Sequence, residues 1–264
     1  MTVDPREAAR FIDWVRLVQA PCRAGVVVRT VPGGWVSARP GIPSGEVPSA
    51  AGNRVYWQSP EVKLGAAEVA ESLRVTRELG GDRTYFWIAP WACDAATERA
   101  LADAGAERWP YVEYVALAKE TEAAAEAPSP FTVRAVHAEE LESLLTKVGP
   151  WYFTDGTVAM RRITSVAPVE IFAAFEGETP VALGLLFING AWGYLGAAAT
   201  DPAHRNRGAQ KALIRGRVAR ALERGARWCA GETNTAVPVS LTNLAKCGFI
   251  PVIAWRVYGW TSKA

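Results

Sequence analysis

The stretch Thr200-Asp201-Pro202-Ala203-His204-Arg205-Asn206-Arg207-Gly208-Ala209-Gln210-Lys211-Ala212-Leu213 admits few folds. Before it, Trp192 to Ala199 is a small apolar run that predicts a buried strand. After it, a helical pattern continues to about Arg224. Pro202 has no N–H to give a ladder and ends the strand near Thr200. Gly208 permits a backbone conformation that a side chain forbids. A strand, a basic glycine-containing loop and a helix in this order present free amide N–H groups at a helix N-terminus, which is an anion site. Arg205, Arg207 and Lys211 add positive charge there, the chemistry of a pyrophosphate cradle.

The charge distribution sharpens this. The chain of 264 residues carries a net charge of only +2. Between Asp201 and Arg227, however, stand eight basic and two acidic residues, so this segment is +6 and the rest is −4. A local positive field on a near-neutral protein suits a small polyanion and argues against nucleic acid as a partner. From Arg215 onward the arginines read mostly as a solvated helix face. Only His137 and His204 are available as histidines, which excludes metal sites needing several of them, and no metal is expected. His204 reads as solvated or phosphate-facing. The four cysteines are scattered without a CxxC, and Cys247 beside Gly248-Phe249 reads as packing. No apolar run reaches the roughly 18 residues that a membrane span needs. With no secretory pattern at the N-terminus, a cytoplasmic location is the expectation.

In chain order, Arg6 to Val18 predicts a helix, with Phe11, Trp14, Val15 and Val18 on one face. Strands are predicted at 25–30, 35–38, 54–58, 84–88 and 111–118. Helices are predicted at 66–79, closed by Gly80-Gly81, and from Asp94 as N-cap to Ala104. The stretch 119–130 is polar and Ala-rich, ends in Pro128-Ser129-Pro130, and reads as a linker. Beyond it come a strand at 131–134, a helix from about Ala138, and strands at 169–175 and 180–188. Asn189-Gly190 then makes a two-residue hairpin signal into Trp192 to Ala199. After the basic loop and its helix follow a strand at 228–231, a short helix at 240–247 and terminal strand material from Phe249 to Trp260.

Arg205-Asn206-Arg207-Gly208-Ala209-Gln210 resembles the acetyl-CoA-binding motif of the GNAT acyltransferase superfamily, which reads Arg or Gln, two residues, Gly, one residue, then Gly or Ala. Gln210 departs from it. The element order over 131–260 is also similar to the GNAT fold, as is Asn234…Ser240…Asn243 before Gly248-Phe249. Leu101-Ala102-Asp103-Ala104-Gly105-Ala106 is similar to Leu244-Ala245-Lys246-Cys247-Gly248-Phe249, and the elements preceding each occur in the same order. The fold class implied is α/β, an α+β mixed-sheet arrangement of two GNAT-like domains in tandem. Each has a mostly antiparallel central sheet flanked by helices. Residues 1–118 are the degenerate copy, 119–130 the linker and 131–264 the domain with the acyl-CoA site. In the first copy the counterpart of the basic loop, residues 58–65, has one Lys and no Arg-x-x-Gly, so no productive site is expected there.

The resemblance implies an N-acyltransferase that uses acetyl-CoA or another acyl-CoA and acts on a primary amine of a small molecule. The alternative is a catalytically silent acyl-CoA-binding protein. Ala198, Ala199, Thr200, Arg205, Asn206, Arg207, Gly208, Ala209, Gln210 and Asn243 are the implied donor-binding residues, with a backbone N–H of Ala198 or Ala199 polarising the thioester carbonyl. The family's usual acid is a Tyr four residues before the Gly of Gly-Phe, and Leu244 stands there. Tyr258, Ser240 or solvent is left to protonate the thiolate. Glu232, Glu170 and Asp155 are candidates for the base. The aromatics Trp151-Tyr152-Phe153, with Asp155, lie where such proteins build an acceptor pocket. The oligomeric state expected is a monomer, with its two halves as an internal pseudo-dimer, or a homodimer.

Overall fold

The computed structural model describes residues 3–20, 25–39, 53–59, 62–110, 113–122, 129–148, 163 and 169–262. Trp151, Tyr152, Phe153 and Asp155 lie outside the described residues, as does most of the anticipated linker. The chain divides into two units.

The first unit comprises Arg16–Val115, Asn234–Ala236 and Ile253–Ala264. Strands β1 (Val27–Val31), β2 (Gly34–Ala38) and β3 (Arg54–Trp57) form an antiparallel meander. Helix α2 (Ala66–Glu78) is the next element after β3, and β4 (Arg83–Ile88) runs parallel to β3. Helix α3 (Ala95–Asp103) follows; the Asp94 carboxylate accepts from the N–H groups of Ala96 and Thr97, as the N-cap reading expects. The next neighbour of β4 is β12 (Ile250–Thr261), antiparallel from Arg256↔Ile88 to Thr261↔Arg83, with the two-residue β5 (Glu107–Arg108) on its other side. One face of this sheet is aromatic: Trp35, Tyr56, Trp87 and Trp255 share it and are all buried. Arg16, from helix α1 (Pro5–Gln19), places its guanidinium 4.3 Å from the Tyr56 ring centre and 4.4 Å from that of Trp255.

The second unit comprises Met1–Val15, Ala116–Thr233 and Val237–Val252. Its strands run in the order β6 (Tyr114–Glu120), β11 (Trp228–Asn234), β10 (Trp192–Thr200), β9 (Thr179–Asn189), β8 (Val169–Glu176), β7 (Thr132–Ala135). From β7 to β10 every pairing is antiparallel; β10 and β11 are parallel, with helix α5 (Ala209–Glu223) as the crossover. Helices α4 (Ala138–Val148) and α6 (Pro238–Lys246) complete it. The apolar run of β9 is buried from Pro180 to Phe187, which explains its lack of polar alternation. On α5, Ala209, Ala212, Leu213, Val218 and Ala221 are buried against the sheet, while Gly216 and Ala219 are only partly covered.

Two expectations about domain limits give way here. The terminal strand, expected in the second half, completes the sheet of the first unit, because β4 offers it a six-residue edge. Lys119 and Glu120, expected as linker, are strand residues of β6 in the second unit, and Thr121 donates its N–H to the Arg227 carbonyl at 2.7 Å. Each unit thus takes a strand from the other half of the sequence.

Candidate functional site

Strands β10 and β11 pair only at Trp192↔Trp228, Gly193↔Cys229 and Tyr194↔Ala230. Both continue, β10 to Thr200 and β11 to Asn234, but without further register. On its other side β10 stays paired with β9, interrupted by a bulge between Gly196 and Ala199, where Ala197 adopts φ 43°. A bulge bends its strand and re-aims the residues after it. A cleft of about 790 Å³ lies beside the parted strand. One wall is Ala198, Ala199 and Thr200; another is the loop from His204 to Lys211; the third comes from α6 and the residue before it, with Val237, Val239, Ser240, Asn243 and Lys246.

The loop has the geometry of an anion cradle. Asp201 caps the short turn Pro202–His204 by accepting the N–H of Ala203 at 3.0 Å. Asn206 and Gly208 both have positive φ, 62° and 96°, which turns the chain sharply into α5. A residue with a Cβ is disfavoured at Gly208 for that reason alone. The first helical acceptor is Gly208, whose carbonyl takes the N–H of Ala212 at 3.0 Å. The N–H groups of Ala209, Gln210 and Lys211 precede that bond and have no acceptor within the helix. With no acidic residue in the first turn of α5, this end keeps its positive character. The donor set fits a diphosphate, and Arg205 and Lys211 on the same wall fit its charge.

Four side chains have partners or burial that the sequence does not announce. Arg207 lines the cleft, but its guanidinium is held by both carboxylate oxygens of Glu176, with Nη1 at 3.0 Å from Oε2. His204 joins this cluster, with Nδ1 2.9 Å from Asp201 Oδ2 and Nε2 3.4 Å from Glu176. Gln210, the departure from the motif, accepts from Asn243 Nδ2 at 2.6 Å, so the two amides link α5 to α6 along the cleft wall. Arg217, read as part of a solvated face, is 1% exposed.

Among the catalytic expectations, Ser240 lines the cleft. Glu232 sits on β11 beyond the last paired rung, and its Oε2 accepts from the Tyr194 hydroxyl at 3.1 Å. The pleat tells which face this is. A Cβ on Gly193 would meet Ala221 of α5, so Tyr194, one residue on, faces away from α5, and Glu232 with it. Tyr258 is not among the residues lining the cleft. It belongs to the first unit, where its buried hydroxyl donates to Glu98 Oε1 at 3.1 Å and lies 3.8 Å from Cys93 Sγ; burial pushes its pKa up. Glu170 is held by Arg220 at 2.9 Å and Arg224 at 3.2 Å, the role of a structural ion pair. Burial pushes the Cys229 thiol up to about 12, and that of Cys247 also upward, so neither is an activated nucleophile. Leu244 is buried. Among the described residues no group of three or more His, Cys, Asp or Glu side chains can hold a metal ion, and no helix is long and apolar enough to cross a membrane.

The equivalent place in the first unit is built otherwise. The N–H of Gly65, the N-cap of α2, is bonded to the Glu68 carboxylate at 3.0 Å. A carboxylate thus already occupies the helix N-terminus where an anion would bind.

A meander, a parallel strand–loop–helix crossover and a cleft at parting strands with an anion-binding loop are the arrangement that the sequence resemblance implies. Residues 136–249 match the model of the Acetyltransferase (GNAT) family. Among solved structures, the chain is similar to a GCN5-related N-acetyltransferase from Kribbella flavida, at 18% identity and a TM-score of 0.66, over 97% of this chain and 96% of that one. A tandem GNAT protein from the clavulanic acid biosynthesis pathway is 12% identical with a TM-score of 0.67, over 94% and 88%. A GCN5-related N-acetyltransferase from Sphaerobacter thermophilus is 13% identical with a TM-score of 0.59, over 87% and 80%. No curated protein matches the sequence. Residues 136–249 are thus similar to a GNAT acetyltransferase domain, and the chain shares its fold with a tandem GNAT protein.

Proposed function

We propose that the protein transfers an acetyl or other acyl group from acyl-CoA to a primary amine of a small molecule. The observation that carries this reading is the cleft at the parted end of β10, closed on one side by the helix N-terminus at Gly208–Lys211. The donor's diphosphate would take the N–H groups of Ala209, Gln210 and Lys211, with Arg205 and Lys211 balancing its charge. Asn206, Arg207 and Gly208 shape the loop, and the linked amides of Gln210 and Asn243 line the path of the pantetheine arm. Thr200 and the backbone of Ala198 and Ala199 hold the thioester end.

Acyl-CoA supplies an activated carbonyl. A backbone N–H at Ala198 or Ala199 polarises that carbonyl. Glu232, held by Tyr194, takes a proton from the ammonium directly or through water. The amine lone pair forms the C–N bond, the C–S bond breaks, and the proton that the attacking nitrogen sheds reaches the departing thiolate through Ser240 or solvent. The Tyr258 hydroxyl is already committed to Glu98. Trp151, Tyr152 and Asp155 remain our proposal for the acceptor side. We place the reaction in the cytoplasm, in a monomer or a homodimer.

A second reading, a silent acyl-CoA-binding protein, is favoured by buried Leu244, which stands where the family's acid tyrosine would be. Calorimetry with acetyl-CoA is expected to give one site per chain, since Glu68 fills the corresponding helix end of the first unit. Two equal sites refute that assignment. Thiol release with a panel of amines separates the two readings: tight binding with no thiol from any amine selects the silent protein.

A further inference from the structure

The residues around Arg217 form one device with the bulge of β10. Arg217 projects from α5 into the sheet and is 1% exposed. Its Nη1 donates to the carbonyl of Leu185 at 2.9 Å and to that of Gly196 at 3.2 Å. Its Nε donates to Leu213 in its own helix at 3.2 Å. Leu185 and Gly196 are partners across β9 and β10, and theirs is the last regular rung before the bulge. The next rung is Leu183↔Ala199, so Ala197 and Ala198 together oppose the single residue Gly184. A Cβ on Gly184 would lie 2.7 Å from Arg217 Nη1. The residue facing the bulge is therefore a glycine because the guanidinium occupies its side-chain space. Ala197, inside the bulge, holds φ 43°, which a residue with a Cβ adopts only when its surroundings impose it.

We infer that Arg217 is a positioning residue whose buried guanidinium locks the bulge of β10, and thereby aims the backbone of Ala198 and Ala199 into the cleft. A cation in this position orients two carbonyls at once, which an apolar residue cannot do. The fork of arginine reaches both Leu185 and Gly196 from one nitrogen while Nε stays on the helix. The strained strand end is thus held from beneath, where no ligand competes for the same groups. The catalytic half of this inference rests on the acyltransfer proposed above; the structural half does not.

The test compares full-length Arg217→Lys, Arg217→Met and Gly184→Ala with the wild type. The Gly184 variant keeps the guanidinium but pushes it off its seat. Amide hydrogen exchange at residues 197–200 is expected to accelerate about tenfold in each folded variant, while amides of β8 and of the β8–β9 ladder keep their protection. With an acceptor amine in hand, kcat should fall roughly a hundredfold, the scale of a misplaced reacting group. The Kd for acetyl-CoA should stay within about threefold, because the loop and not the bulge grips the diphosphate. A simple packing role would lower the melting temperature but leave both bulge exchange and kcat at wild-type values, and that result overturns the inference. The wild type supplies an independent check should the variants not fold. Its Arg217 Hη protons should give separate, slowly exchanging NMR signals, and a single averaged guanidinium signal is equally fatal. If the wild type binds no acetyl-CoA, the proposed function fails, and the exchange data alone decide about Arg217.

Discussion

At the scale of single residues, the decisive pairing is Arg207 with Glu176. An arginine that sequence assigns to a phosphate arrives already matched to a carboxylate 31 positions away. The pair is half exposed, so its worth is that of a surface ion pair, up to about 1 kcal/mol. Glu176→Gln should free Arg207 for the donor and tighten acetyl-CoA binding by roughly threefold, with a steeper loss at high salt. Calorimetry at two ionic strengths reads this; equal or weaker binding would mean that Glu176 organises Arg207 for the ligand. Glu232 makes a second prediction. Glu232→Gln removes a proton acceptor and keeps its shape, so kcat should fall by at least roughly a hundredfold while the Kd for acetyl-CoA holds. An unchanged rate across pH removes Glu232 from the mechanism. Tyr194 had no signal in the sequence beyond its place in an apolar strand. Gly184 did have one, since a glycine inside a buried strand marks a close approach, and it points to Arg217.

Among the elements, strands and helices were legible wherever punctuation was local. Asn189-Gly190 announces the β9–β10 hairpin, and Asp94 announces α3. The exit of β10 was legible from Pro202 and Gly208, although the bulge at Ala197 was not. Helix α4 shows how one terminus responds to pH. The Glu140 carboxylate is held down to about 2, first by the Arg134 guanidinium at 2.6 and 2.8 Å and then by the His137 N–H at 3.0 Å. Its value in an unfolded chain is about 4.3. The folded form is therefore favoured by this group above that value, and the contribution disappears as pH falls from about 4 toward about 2. Thermal melts of wild type and Glu140→Gln should differ most above pH 5 and converge on acidification. Curves that stay parallel would show that Glu140 is not the group that titrates.

Over the whole molecule, the exchange of strands between the two halves of the sequence governs stability. The first unit depends on β12, which pairs with β4 over six residues and buries Ile253, Trp255, Val257, Tyr258 and Trp260. At about 2 kcal/mol for each large apolar side chain buried, this strand's contribution is comparable with the whole usual margin of a domain. A chain ending at Phe249 should lose the fold of its first unit, seen as loss of near-ultraviolet circular dichroism from its tryptophans and rapid proteolysis within residues 62–110. A cooperative melt of that unit without residues 250–264 would contradict the exchange.

The sequence by itself determined the strand–loop–helix cradle, the order of the elements and the concentration of positive charge between Asp201 and Arg227. Each of these is written in neighbouring residues, where turn chemistry and hydrophobic period act over a few positions. Only the tertiary structure decided that Glu176 holds Arg207, that Arg217 is buried beneath the bulge, that the Tyr258 hydroxyl is bonded to Glu98, and that β6 and β12 change units. Those outcomes depend on which edge, carbonyl or carboxylate a distant segment meets. An alternating strand pattern specifies the face a residue takes but not the sheet it joins, and an arginine on a helix reads the same whether its partner is water or a carbonyl.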